Sequence, residues 1–148
     1  MDLKEKLTAD ARVALKAGEK LRLSAIRMLL SDIKNAEIAK KGELTSEELL
    51  EIATRDAKKH KESIEEFTKG GRQDLVDKET YELSVIQQYL PKQMSDEEVQ
   101  NIIALTIEEV GASSPADLGR VMGKLMPRVK GKADGKKINQ LVREMLQQ

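Results

Sequence analysis

Basic residues and glycines cluster near the end of this sequence, where they could bind a polyanion. Gly119 to Gln148 contains eight basic and two acidic residues, whereas Ser95 to Leu118 contains six acidic and no basic ones. Lysine and arginine neutralise nucleic-acid phosphates, and a glycine-rich turn that opens a helix offers N–H groups to the same anion. We therefore predict a nucleic-acid-binding surface formed by Arg120, Lys124, Arg128, Lys130, Gly131, Lys132, Lys136, Lys137 and Arg143, here called the basic segment.

The alternative interpretation of the basic segment is a solvated surface that binds nothing, as charged helix ends often are. If the segment does bind RNA, the mode of binding is restricted by composition. Aromatic residues make up only 2% of the chain, so stacking of splayed bases is not expected. The residue types fit better with a folded RNA that is recognised by its shape and contacted at its sugar-phosphate backbone.

Residues for catalysis or metal binding are sparse. The chain has no Cys and a single histidine, His60, inside the run Lys58 to Lys61 with no nucleophile pattern around it. We predict that His60 is a surface or half-buried helix residue. A metal site would have to rely on carboxylates, and the acidic pairs resemble solvated helix faces, so neither a metal nor a cofactor is predicted. Gly119 and Gly123 lie within a helical pattern, which favours close helix packing over a phosphate loop.

Composition indicates an all-α fold. Of the 148 residues, 35% are charged, and the apolar residues are mostly aliphatic, which suits helices packed on aliphatic stripes. Lys+Arg and Asp+Glu number 26 each, so any affinity for nucleic acid must come from patches. No apolar run is long enough to span a bilayer, and the first residues lack a secretory h-region. A cytoplasmic protein that does not enter membranes is therefore expected.

The first part of the chain predicts four helices. Apolar residues recur at helical spacing over residues 2–17, 19–40, 46–69 and 72–90, and the stripe of the first helix includes Leu15. Gly18, Gly42, Gly70 and Pro91 are the predicted stops, and Thr45 with Glu48 forms a capping-box signal. Short connections between amphipathic helices predict a four-helix bundle, which we assign as a domain of residues 1–91.

A second unit is predicted after Pro91. Ser95 and Glu98 repeat the capping box, which makes residues 91–95 the best domain boundary. Three helices follow: one stops at Gly111, the next begins at Ser114 and should end or kink at Pro127, and Asp134 caps the last. Residues 95–148 are therefore predicted to form a three-helix bundle.

Three stretches of the chain resemble the YqeY family. They are LRLSAIRMLLSDIKNAEI at 21–38, GRQDLVDKETYELSVIQQYLPKQMSDEEV at 71–99 and DLGRVMGKLMPRVKGKADGKKINQLVREML at 117–146. The last stretch is also similar to the tail domain of the GatB subunit of glutamine-dependent aspartyl/glutamyl-tRNA amidotransferase. The resemblance covers essentially the whole chain and implies a four-helix bundle followed by a three-helix bundle.

The resemblance implies a connection with tRNA, because the GatB tail helps to hold the tRNA. Gly119, Gly123, Lys130, Gly131 and Lys132 match glycine and basic positions of that tail, while Arg72, Asp74, Glu79 and the 89–91 turn match positions that look structural. The catalytic part of GatB has no counterpart in this chain.

Three functions remain open from the sequence. The first is a tRNA-binding accessory module with no catalytic centre of its own. The second is a component of a carbon-nitrogen ligase with glutamine as amide donor, acting with partner subunits. The third is a helical protein-protein adaptor. The partners expected are tRNA and subunits of an aminoacyl-tRNA synthetase or amidotransferase, and we expect no amidotransferase turnover by the isolated chain.

Overall fold

The computed structural model describes residues 1–147, which contain helices and no strand. The all-α prediction is confirmed. The α-helices are α1 (Leu3–Ala17), α2 (Lys20–Lys40), α3 (Ser46–Lys69), α4 (Gln73–Gln87), α5 (Asp96–Val110), α6 (Leu118–Val129) and α7 (Gly135–Leu146). A short 3-10 helix, Pro115–Asp117, precedes α6.

Most helix ends follow the capping signals in the sequence. At Ser95 the predicted capping box is incomplete, because the Glu98 carboxylate accepts the Ser95 hydroxyl at 3.3 Å instead of the Ser95 N–H. The Thr45 hydroxyl accepts the N–H of Glu48, whose carboxylate accepts the N–H of Thr45 in return. Gly42 was predicted to stop the second helix, but α2 ends at Lys40 and the C-cap is Lys41, which has a left-handed backbone with φ 62°. The predicted fourth helix reached Leu90, but α4 ends at Gln87 and Leu90 closes a turn onto the Gln87 carbonyl.

The chain divides into two compact units, Met1–Leu90 and Pro91–Gln148, here called the N-terminal and C-terminal units. In the N-terminal unit, α4 packs on α2 and α3, and α1 packs on α2. Its core is aliphatic and is built from Leu7, Ala25, Ile26, Leu29, Ile33, Leu49, Ile52, Ala53, Ala57, Val85 and Ile86. Leu15 was predicted to lie on the apolar stripe of α1, but it is 59% exposed because Leu7 and Ala14 define the buried face.

In the C-terminal unit, α6 contacts both α5 and α7. The core consists of Val99, Ile103, Val121, Leu125, Val129, Ile138, Val142 and Leu146. Pro127 was predicted to end or kink the helix, but α6 continues past it to Val129. Val129 and Leu125 are both fully buried. Burial of this face outweighs the hydrogen bond that proline removes. Within the described residues, no helix is both long and apolar enough to cross a bilayer.

Candidate functional site

The basic segment lies on α6, on the loop 130–134 and on α7. The loop backbone is held by the residues that precede α5: the Met94 N–H donates to the Lys132 carbonyl at 2.9 Å, and the Gln93 side chain donates to the Gly131 carbonyl at 2.8 Å. Gly131 has φ 76°, a conformation that glycine adopts at little cost. The loop that carries Lys132 is therefore fixed at both of these carbonyls.

Helix α5 neutralises two of the predicted binding residues on α6. Arg128 donates to the Glu109 carboxylate at 2.6 Å and to the Thr106 hydroxyl at 3.0 Å. Lys124 lies 3.2 Å from the same Glu109 carboxylate. Arg128 and then Lys124 hold the pKa of Glu109 below its usual range.

Two more of the predicted residues are also paired inside the C-terminal unit. Arg120 lies 2.9 Å from Asp117 and donates to the Val110 carbonyl at 3.3 Å. Lys137 lies 2.5 Å from Asp96, at the start of α5. Acidic residues of the stretch from Ser95 to Leu118 thus partly neutralise the basic segment within one unit.

Lys132, Lys136 and Arg143 remain exposed, and none of them forms an ion pair with another residue in the part of the chain described. Lys136 and Arg143 are seven residues apart on α7, so they project from one face about 10 Å apart along the axis. The start of α7 is already capped, because the Asp134 carboxylate accepts the N–H of Lys136 at 3.0 Å. A phosphate here would meet the side chains rather than that amide.

The two glycines of α6 do not serve close helix packing. A Cβ atom added at Gly119 or Gly123 would meet nothing within 4 Å, and both residues are exposed. The prediction of close packing is therefore wrong, because the core-facing positions of α6 are Val121, Leu125 and Val129.

A second concentration of ionisable groups lies buried between α3 and α4 of the N-terminal unit. Asp56 and His60 lie on α3, and Glu79 and Glu82 lie on α4. His60 Nδ1 is 2.6 Å from Glu79 Oε2 and 3.8 Å from Glu82 Oε2, while His60 Nε2 is 3.4 Å from Asp56 Oδ2. We call these four residues the His60 cluster.

Burial and neighbouring charges shift the pKa values of His60 and Glu82. The carboxylates of Asp56 and Glu79 raise the pKa of His60 to about 9, so that its charged form persists at neutral pH. Burial raises the pKa of the Glu82 carboxyl, whose residue is only 2% exposed. The cluster is therefore an electrostatic link between α3 and α4 within the apolar unit.

Sequence reasoning missed the His60 cluster. His60 was expected on the surface or half-buried, yet it is only 4% exposed. One signal was available: Ala53, Ala57 and His60 follow the three-and-four spacing of the buried face of α3. Glu82 gave a weaker signal, since it lies next to Leu83 and three residues before Val85 on α4.

Comparison with known proteins decides the family. The family described as Yqey-like protein matches residues 4–146, nearly the whole chain. The chain belongs to the YqeY family. The resemblance inferred from the sequence is thereby confirmed.

Fungal proteins are among the relatives of this YqeY chain. Each is named altered inheritance of mitochondria protein 41, mitochondrial. The one from Pyrenophora tritici-repentis is 31% identical over 95% of this chain and 79% of its own length. That from Saccharomyces cerevisiae strain YJM789 is 32% identical over 89% and 63%, and that from Kluyveromyces lactis is 36% identical over 80% and 66%.

The YqeY chain thus spans about two thirds of the length of the two yeast relatives, and more of the Pyrenophora protein. Their name places those relatives in mitochondria. A cytoplasmic location for this chain stays a prediction.

Proposed function

We propose that this YqeY-family protein is an accessory module that binds tRNA through Lys132, Lys136 and Arg143. One observation carries the proposal: these three basic side chains are exposed without a neutralising carboxylate among the described residues, whereas Arg120, Lys124, Arg128 and Lys137 are each paired. Cations that are not already neutralised gain most from a phosphate.

The surroundings of these three residues suit the backbone of a folded RNA. Gln140 lies on α7 between Lys136 and Arg143 and is exposed; its amide donates a long hydrogen bond of 3.3 Å to the Glu144 carboxylate, which a phosphate would replace. Amide side chains of this kind hydrogen-bond to phosphate and sugar without reading sequence. Because Met94 and Gln93 hold the backbone of the loop that carries Lys132, binding of an anion costs little backbone ordering entropy there.

The paired members of the basic segment contribute less in this proposal. Arg128 would have to leave Glu109 and Thr106 to reach a phosphate, and Lys137 would have to leave Asp96. Seven residues of the basic segment therefore divide into a contacting set, Lys132, Lys136 and Arg143, and a paired set, Arg120, Lys124, Arg128 and Lys137.

Protein partners extend the proposal. The likeness of residues 117–146 to the GatB tail makes subunits of an aminoacyl-tRNA synthetase or of an amidotransferase the proposed protein partners. In that setting the chain would position tRNA, and the partner would supply any carbon-nitrogen ligase chemistry. The chain alone should not convert glutamyl-tRNA when glutamine and ATP are supplied.

Titration of labelled tRNA with the pure chain at about 50 and 200 mM salt tests the proposal. In the variant Lys132→Ala, Lys136→Ala, Arg143→Ala, affinity should fall at least about ten-fold at the lower salt. Each lost phosphate contact should reduce the salt slope by roughly 0.7 to 0.9. Thermal melting should change little, because exposed charges contribute little to folding.

The matched control is Lys16→Ala, Lys34→Ala, Arg55→Ala, which removes the same charge from exposed helix positions of the N-terminal unit. It should bind tRNA within about two-fold of the natural chain. Equal losses in both variants would indicate diffuse electrostatic attraction and contradict the site. Unchanged binding by the first variant would leave the solvated-surface interpretation. Capture of a synthetase or amidotransferase subunit without RNA would favour the ligase-component or the adaptor function over tRNA binding.

A further inference from the structure

The His60 cluster has the placement of a metal site in a helical bundle. Asp56 and His60 are four residues apart on α3, and Glu79 and Glu82 are three apart on α4, so each pair projects from one face of its helix. Metal sites in bundles are built in this way, from inward carboxylate and imidazole groups on facing helices. The nitrogen and oxygen atoms that His60, Glu79 and Glu82 offer as ligands all lie within 4.8 Å of one another.

The charges of the cluster are not balanced by its own residues. A single imidazolium can neutralise only one of the three carboxylates that surround it. A second cation near the cluster is Lys78, whose Nζ is 3.9 Å from Glu82 Oε1 and whose side chain is largely exposed. Carboxylates removed from water need protons or a cation in close contact, and a divalent ion supplies two charges in the place of one.

Two buried atoms of the cluster also lack hydrogen bonds. Asp56 Oδ2 and His60 Nε2 face each other at 3.4 Å, are closed to water and have no hydrogen-bond partner. Asp56 is 5% exposed, so its carboxylate is directed at the histidine inside the unit and not at solvent. Metal-ligating histidines direct their second ring nitrogen at such a carboxylate, which fixes the ring orientation.

We propose that His60 Nδ1, Glu79 and Glu82 bind a divalent transition-metal ion, Zn²⁺ or Mn²⁺, with the His60 Nε2–H directed at Asp56. The ion replaces the proton that lies between His60 Nδ1 and Glu79 in their 2.6 Å contact. Glu79 must move outward by less than about 1 Å, because ligand atoms around an ion bound at about 2.0 to 2.2 Å stand slightly farther apart than a hydrogen-bonded pair. Its side chain is 20% exposed and provides the entry route.

The ligand types decide the class of metal. One imidazole and two carboxylates suit Zn²⁺ and Mn²⁺, whereas Mg²⁺ and Ca²⁺ are bound by oxygen atoms alone in most protein sites. We expect one tightly bound ion per chain for Zn²⁺ and Mn²⁺, and no binding of Mg²⁺ or Ca²⁺ at the same concentration. The site would join α3 to α4 and so stabilise the N-terminal unit.

NMR of the sole histidine tests the proposal without any variant. His60 is the only histidine of the chain, so an untagged, chelator-treated protein has a single imidazole spin system. Zn²⁺ should shift its signals until one equivalent is added, and Mn²⁺ should broaden them before other resonances of the protein. Imidazole signals that stay unchanged through one equivalent of both ions would overturn the site.

Variants measure the role of the carboxylates. Glu82→Gln keeps the shape of the buried side chain and removes its charge, so circular dichroism should show the natural helix content. Its affinity for Zn²⁺ in calorimetry should fall by about ten-fold or more. Glu65→Gln is the matched control, since Glu65 is an exposed carboxylate on α3, and it should bind Zn²⁺ like the natural chain. Equal affinity of the two variants would contradict the assigned ligands.

Discussion

Arg128 and Glu109 form a 2.6 Å ion pair that joins α6 to α5, and Lys124 reaches the same carboxylate at 3.2 Å. One acidic residue thereby neutralises two members of the basic segment. In the sequence, the acidic stretch from Ser95 to Leu118 precedes the basic segment, and folding pairs residues of the two. Glu109 consequently limits the number of cations that can meet an anionic partner.

Removing the Glu109 charge should strengthen tRNA binding. In Glu109→Gln the Arg128 and Lys124 side chains lose their anionic partner and become available to phosphates. Because exposed ion pairs are weak, the gain in affinity should be modest, roughly two- to five-fold, with a steeper salt dependence. Glu108→Gln removes the same charge from the neighbouring exposed position and is the control. If Glu108→Gln tightens binding as much as Glu109→Gln, the effect is one of net charge alone.

The Tyr89 hydroxyl contributes to the stability of the N-terminal unit. It donates a 2.5 Å hydrogen bond to Asp10 on α1, and burial raises the pKa of Tyr89 above its usual range, so the hydroxyl stays protonated. Tyr89→Phe should lower the free energy of unfolding by about 1 to 2 kcal/mol in urea titration. Tyr81→Phe, at a residue that is 40% exposed, should change it by less than about 0.5 kcal/mol. Similar losses in the two variants would argue against a stabilising role for this bond.

The His60 cluster predicts that stability falls with rising pH in chelator-treated protein. The folded-state pKa of His60, about 9, lies above its ordinary value of 6.5. Its stabilisation is therefore complete below pH 6.5 and is lost as pH rises through 9, by at most about 3 kcal/mol. Glu82 acts in the same direction, since its pKa is also raised in the folded state.

Urea titrations between about pH 6 and pH 9.5 give the measurement for this pH dependence. The quantity compared is the free energy of unfolding of the natural chain minus that of His60→Gln, because the subtraction removes the effect of titrating groups outside the His60 cluster. That difference should shrink across the interval. A difference that stays constant with pH would show that His60 does not hold a proton more tightly in the folded protein.

The boundary near Pro91 predicts the first site of limited proteolysis. Lys92 is exposed and lies between Gln87, where α4 ends, and Asp96, where α5 begins. Trypsin at low concentration should cut after Lys92 earlier than after the helical lysines, because proteases need extended chain. Mass spectrometry of the early fragments identifies the bond. Early cuts elsewhere with none between Leu90 and Val99 would contradict separable domains of residues 1–91 and 95–148.

The sequence by itself determined where the helices lie and most of where they begin and end. Capping side chains such as Thr45 and Ser95 bond to amides three residues away, and the apolar stripes repeat within each helix. These signals are local, so they can be read along the chain. The family resemblance was equally accessible, because it rests on the order of residues.

The tertiary structure decided which charges remain available and which ionisable groups are buried. Lys137 pairs with Asp96, 41 residues away, and His60 meets Glu79, 19 residues away on another helix. Neither pair has a local signature in the sequence. The pattern of one helix indicates which side chains are polar, but it does not indicate which residue of another helix packs against them. The unpaired state of Lys132 and the burial of His60 follow from the packing of helices distant in sequence, and that packing is set by the whole of each apolar core.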